Sequence, residues 1–138
     1  GAVATGTANF ANDNTIPQIS EGALYLTRAI TPTNSSNKLL IQVVMNMSGG
    51  SGTTLQVALF QDSIANALAC QQEQYTAASN LQNISFSHYM AAGTTSSTSF
   101  TVRMGTSGAT TTTLNGAAGN RAGGGVNFSS ITIWEIAV

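Results

Sequence analysis

Residues 38–47 alternate so regularly that they admit one local structure. Leu39, Ile41, Val43, Met45 and Met47 fall on one side and Lys38, Leu40, Gln42, Val44 and Asn46 on the other. A period of two, apolar on one side and mixed on the other, belongs to a β-strand with one face against a core. The same period returns at Leu55, Val57 and Leu59, at Ile84, Phe86, His88 and Met90, and at Phe100, Val102 and Met104.

The segments between these runs are turn formers. Ser48-Gly49-Gly50-Ser51-Gly52, Ala92-Gly93-Thr94 and Asn115-Gly116 supply residues that tolerate positive φ or bond their own backbone. An earlier strand is expected over 23–30, stopped by Pro32, which has no N–H to give a ladder. Further strands are expected near Ala8-Asn9-Phe10, over 65–71, over 110–114 and over 129–138. The final run, Ile131 to Val138, is apolar on both faces, which suits a sheet interior or a contact between subunits. Together these runs predict an all-β fold, a two-sheet antiparallel sandwich of roughly eight strands. Residues 1–22 read as an extended lead-in that packs on the domain or joins an upstream region, and 23–138 as the sandwich itself.

Composition narrows the partners. Only 7% of residues are charged and the net charge is −1, against about 25% charged in an ordinary soluble domain. Nineteen Thr, 15 Ser and 12 Asn take the place of Lys and Glu. Arg28, Lys38, Arg103 and Arg121 are scattered, so nothing attracts a phosphate backbone or an anionic bilayer. Apolar runs such as Val43-Val44-Met45 are far too short for a membrane helix. Nucleic acid and membrane insertion are therefore not expected. Cys70 stands alone, so no intrachain disulfide forms and stability rests on packing or assembly.

The reactive residues form no recognisable set. His88 is the sole histidine and sits in line with Ile84, Phe86 and Met90, which reads as a packed residue rather than a general base. The acids are Asp13, Glu21, Asp62, Glu73 and Glu135, none of which shares a recognisable motif with another; Asp62 and Glu73 could approach across one loop as a hydrolytic pair, but solvated turn acids are far commoner. One Cys and one His make no zinc site, and Asn12-Asp13-Asn14 lacks the rest of a calcium loop. No catalytic residue, metal or cofactor is expected. Arg103 and Glu135, both on strands, are expected to form a structural ion pair. Four Asn-x-Ser/Thr triplets, at Asn34, Asn46, Asn83 and Asn127, are what so Asn- and Ser-rich a chain generates by chance. Residues 72–80 read as an exposed polar loop, and Gln72, Gln74, Tyr75 and Asn80 are its candidates for ligand contact. Trp134 is suited to stacking on a sugar ring, but its apolar strand favours packing.

Several runs together resemble a recurrent C-terminal module of tailed-bacteriophage tail fibres, tailspikes and related virion surface proteins. They are Thr15-Ile16-Pro17-Gln18, Ala29-Ile30-Thr31-Pro32-Thr33, Asn37-Lys38-Leu39-Leu40-Ile41 and Val57-Ala58-Leu59-Phe60-Gln61-Asp62. Phe100-Thr101-Val102-Arg103 and Ser129-Ser130-Ile131-Thr132-Ile133-Trp134-Glu135-Ile136 follow in the same order. Residues 61–83 depart from the pattern. The resemblance implies a jelly-roll-like sandwich, assembled as a homotrimer on the exterior of a virus particle beside other virion proteins. It implies either host attachment, with a cell-surface glycan as partner, or a capsid-decoration (cement) or head-fibre role needing no host ligand. In the trimer, Trp134, Ile136 and Val138 are the expected subunit contact.

Overall fold

The computed structural model describes residues 1–74 and 77–138. Eleven strands appear in chain order: β1 (Ala4–Gly6), β2 (Ala23–Ile30), β3 (Lys38–Ser48), β4 (Thr54–Gln61), β5 (Ala69–Gln74), β6 (Gln82–Ala91), β7 (Thr98–Thr106), β8 (Thr112–Leu114), β9 (Gly116–Ala117), β10 (Asn120–Arg121) and β11 (Ser130–Ile136). Every strand pairing is antiparallel, and no α-helix occurs among the described residues.

β3 organises the first sheet. One of its edges pairs along its length with β6, from Lys38 opposite Ala91 to Met47 opposite Gln82. Its other edge is shared end to end: β11 takes the first part, from Lys38 opposite Ile136 to Val44 opposite Ser130, and β8 the last two residues, with β1 outside β8. The second sheet runs β2-β7-β4-β5. The two stack in a sandwich, because the alternating apolar residues of β3 meet Leu55, Val57 and Leu59 of β4 and Phe100, Val102 and Met104 of β7 in one dry cluster. The strands read from the period of two are thus present, with β3, β4, β6 and β7 each extending one or two residues beyond the alternating run.

The irregular start of the chain is a third layer. Phe10 is wholly buried with Ala58 and Phe60 on the outer side of the second sheet, and Ile19 and Ala67 pack beside it. Glycines make room for the ring: a Cβ on Gly22 would lie 2.7 Å from Phe10, and one on Gly105 would lie 2.6 Å from the Ala8 carbonyl oxygen. The Glu21 carboxylate accepts hydrogen bonds from the amides of Ala11 (3.1 Å) and Gln18 (2.7 Å), tying the segment into a loop. Arg103 donates to the carbonyls of Glu21 and Gly22, both at 2.8 Å.

Three expectations are corrected here. Arg103 and Glu135 do not pair: Arg103 holds the lead-in, while Glu135 Oε1 accepts from the Thr33 amide and hydroxyl (both 2.8 Å), the Asn34 amide (3.3 Å) and Asn37 Nδ2 (2.6 Å). Sequence shows which residues want partners, not which end of which strand brings them together. Of the two settings expected for the last strand, a sheet interior does not hold within the chain: β4 is covered on both faces, roofed by the lead-in, whereas β11 packs Ile131 and Ile133 inward and leaves its other face open. The strand expected over 65–71 begins instead at Ala69. The small residues before it meet the lead-in, through Ile19 N to Ala65 O (2.8 Å) and Ala67 N to Pro17 O (2.9 Å).

Two predictions follow from this packing. Phe10→Ala should destabilise the fold by about 3–5 kcal/mol in urea unfolding, as for a buried Phe in a core. Leu24→Ala, at a side chain 53% exposed, should shift stability by about 0.5 kcal/mol or less. The hydrogen bonds from Asn37 and Thr33 hold the Glu135 pKa below its ordinary 4.5. A carboxyl with a depressed folded pKa contributes stability above the unfolded value and loses it as pH falls through the folded one. The melting temperature should therefore fall on acidification below 4.5, and Glu135→Gln should flatten that slope. Part of the slope will remain, because Asp13 is shifted the same way by hydrogen bonds from Thr15.

Candidate functional site

Strand register places side chains on the open face of the first sheet in transverse rows. Leu40 lies opposite both Tyr89 of β6 and Trp134 of β11, giving a row Tyr89, Leu40, Trp134 across three strands. The neighbouring row is Ser87, Gln42, Thr132, and the next is Ser85, Val44, Ser130. On the other flank lies Ala91, Lys38, Ile136. Because Leu39 and Ile41 must point into the core, Leu40 and Gln42 must point out. Tyr89 is 58% exposed, Trp134 45% and Ile136 40%. Leu40, Gln42, Ser87, Trp134, Glu135 and Ile136 line a shallow depression of about 440 Å³ on this face. Lys38 is the one charged member of these four rows.

In the two rows that cross β3 at Leu40 and Gln42 the polar side chains carry no hydrogen bond, whereas past Val44 the Asn83 amide donates to Asn46 Oδ1 at 2.9 Å. Among the described residues, Tyr89, Trp134, Gln42, Ser87 and Thr132 make no side-chain hydrogen bond. Four of the five acids, by contrast, are consumed in holding backbone. Glu21 and Glu135 act as described, Asp13 accepts from Thr15 N at 2.8 Å, and Asp62 accepts from Thr98 Oγ1 and Ser99 N, both at 2.8 Å. Asp62 and Glu73 do not approach one another. Glu73 sits opposite Leu55 near the start of β4 and Asp62 follows its end, roughly 20 Å apart at the rise of a strand.

Such a face offers two interactions together. Aromatic rings present an apolar surface with polarisable faces, and the adjacent amide and hydroxyls present both donors and acceptors. It can therefore take a flat ligand with C–H groups on one side and hydroxyls around its edge.

The residues singled out from sequence are dispersed. Gln72 and Gln74 belong to strand β5, not to a loop, opposite Gln56 and Thr54. Their polarity suits an exposed edge strand as well as it suits a loop. Gln72 borders a second depression, between the lead-in at 13–17 and residues 67–70, which includes the exposed thiol of Cys70. Asn80 is exposed in the connection to β6, and Tyr75 lies outside the described residues. Trp134 and Ile136 share the open face of β11 in adjacent rows, while Val138, 77% exposed, lies past the strand end. His88 points inward opposite Ile41, and its partial burial pushes its pKa down. Tyr89, Leu40, Gln42 and Ser87 escape the sequence reading; the available signal is the outward alternation of 38–46 and 83–91.

No family model matches the chain, and no curated protein matches it in sequence. Among solved structures, one described as the C-terminal domain of EclA, a sugar-binding protein, is similar with a TM-score of 0.50. The likeness covers 96% of this chain and 77% of that one at 12% identity. At that identity it speaks to the fold, an all-β arrangement of antiparallel sheets.

Proposed function

We propose that this chain is a non-catalytic, glycan-recognising β-sandwich displayed on the surface of a virus particle, as at the tip of a tailed-phage fibre or spike. One observation carries the reading: the row Tyr89, Leu40, Trp134 lies directly beside the unpartnered row Ser87, Gln42, Thr132, and Lys38 is the one charged member of the four rows. Sugars need that pairing of an apolar platform with neutral donors and acceptors, and a face almost without charge does not favour phosphate-rich partners. The fold likeness to a domain described as sugar-binding supports the reading. The place on a virion, the jelly-roll-like topology and the homotrimer draw on the family resemblance that runs from residue 15 to the C-terminus.

Titration calorimetry or a glycan array should find binding to neutral oligosaccharides, and Trp134→Ala should weaken it by at least about tenfold, some 1.4 kcal/mol, with the melting temperature preserved. Equal binding by the variant, or no binding at all, sinks this reading.

A second reading has its own observation. Ile136 and Val138 are apolar, 40% and 77% exposed, with Ile136 at the corner of the same face and Val138 past the end of its strand. In this reading the corner joins three copies of a capsid-decoration or head-fibre protein that clamps the shell and needs no host ligand. Ile136→Asp would then place an unpaired charge in the contact, so light scattering should find a trimer for the unaltered chain and a monomer or precipitate for the variant. An unaltered chain that is monomeric and folded at micromolar concentration rules this out.

A further inference from the structure

We infer that the ligand of the open face is an extended, ribbon-like β-linked oligosaccharide of at least three pyranose units, laid across β6, β3 and β11 at right angles to the strands. The inference rests on the glycan-binding reading and adds a direction, a length and a linkage geometry to it.

The direction comes from where the rings are. Along β11 the outward neighbours of Trp134 are Thr132 and Ile136, and along β6 those of Tyr89 are Ser87 and Ala91. A sugar chain of three units following either strand would meet one ring only, since Phe128, the next exposed ring in line with Trp134, is six residues, roughly 20 Å, away. Across the strands, Tyr89 and Trp134 stand at the two ends of one row with Leu40 between them.

The length comes from strand spacing. Two inter-strand steps separate the rings by roughly 9–10 Å, the span between the first and third units of an extended pyranose chain. The middle unit then lies over Leu40. In a β-linked ribbon alternate units present the same face, so the first and third can stack on rings that project from the same side of one sheet. A bent or branched glycan cannot meet both rings at once.

One edge of the bound chain is set by the next row. Ser87, Gln42 and Thr132 lie one pleat repeat away, roughly 6–7 Å along the strands, with one hydrogen-bonding side chain on each strand, so each unit has a partner. The opposite row, Ala91, Lys38 and Ile136, gives mainly apolar contact. At this level of the sheet β6 and β11 are the outermost strands. The row is therefore open at both ends and accepts an internal stretch of a longer polymer.

Titration with β-1,4-linked glucose and N-acetylglucosamine oligomers of one to five units tests this, alongside a general glycan array. Affinity should rise by about tenfold or more between the dimer and the trimer and flatten beyond it. Tyr89→Ala should abolish that rise, so that the trimer binds no more tightly than the dimer, and Trp134→Ala should weaken every length. Affinity that does not depend on length, a Tyr89→Ala variant indistinguishable from the unaltered chain, or a preference on the array for branched or bent glycans overturns the inference but leaves glycan binding standing. No binding to any glycan overturns both.

Discussion

The alternation of β3 is the constraint from which the rest follows. Both edges of this strand are paired, so its side chains divide into two sets. The inward set of five apolar residues is completely buried and forms the centre of the sandwich. The outward set becomes the middle of the open face. A one-residue slip in register would exchange the two sets along the whole strand, burying Gln42 and Lys38 and exposing Ile41 and Val43. The core thus enforces the register, and the register aligns Tyr89, Leu40 and Trp134.

Scarcity of charge makes the few acids valuable as anchors. Glu135 gathers four donors from the turn between β2 and β3, Glu21 two amides of the lead-in, and Asp62 one hydroxyl and one amide near the start of β7. Hydrogen bonds to a charged acceptor are stronger than neutral ones, so a small number fixes several irregular connections. Committing them there leaves the open face to neutral amides and hydroxyls.

The sandwich is legible in the sequence wherever a strand has one wet and one dry face, because only then does the period of two survive. It holds for β3, β6 and β7. The lead-in is not legible, since Phe10 is an isolated aromatic among turn formers and its pocket is made by Gly22, Gly105, Ala58 and Phe60 from distant parts of the chain. Gln72 and Gln74 read as loop because an exposed edge strand has the composition of one. Of the open face, Trp134 and Ile136 are visible as an apolar excess on the last strand. Their partners Tyr89 and Leu40 are not, because adjacency there is a matter of which strands pair, and a single sequence does not encode that locally.

The two outer faces of the sandwich are treated differently, and the difference gives the open face its meaning. On the second sheet, Ala58 and Phe60 point outward and are roofed by residues of the lead-in, with the Gln56 side chain donating to the Ala11 carbonyl at 2.6 Å. The chain therefore covers apolar outward residues where it has a segment to do so. On the first sheet, Leu40, Tyr89, Trp134 and Ile136 point outward with no such cover among the described residues, although the apolar area left in water costs about 25 cal/mol per Å². In the proposed reading this exposed apolar area is the contact surface. The polar rows that share the face narrow the contact further. A purely apolar partner would strand Gln42, Ser87 and Thr132 without hydrogen bonds, at about 1–3 kcal/mol each, whereas a ligand with an apolar face and a hydroxylated edge satisfies both halves of the surface.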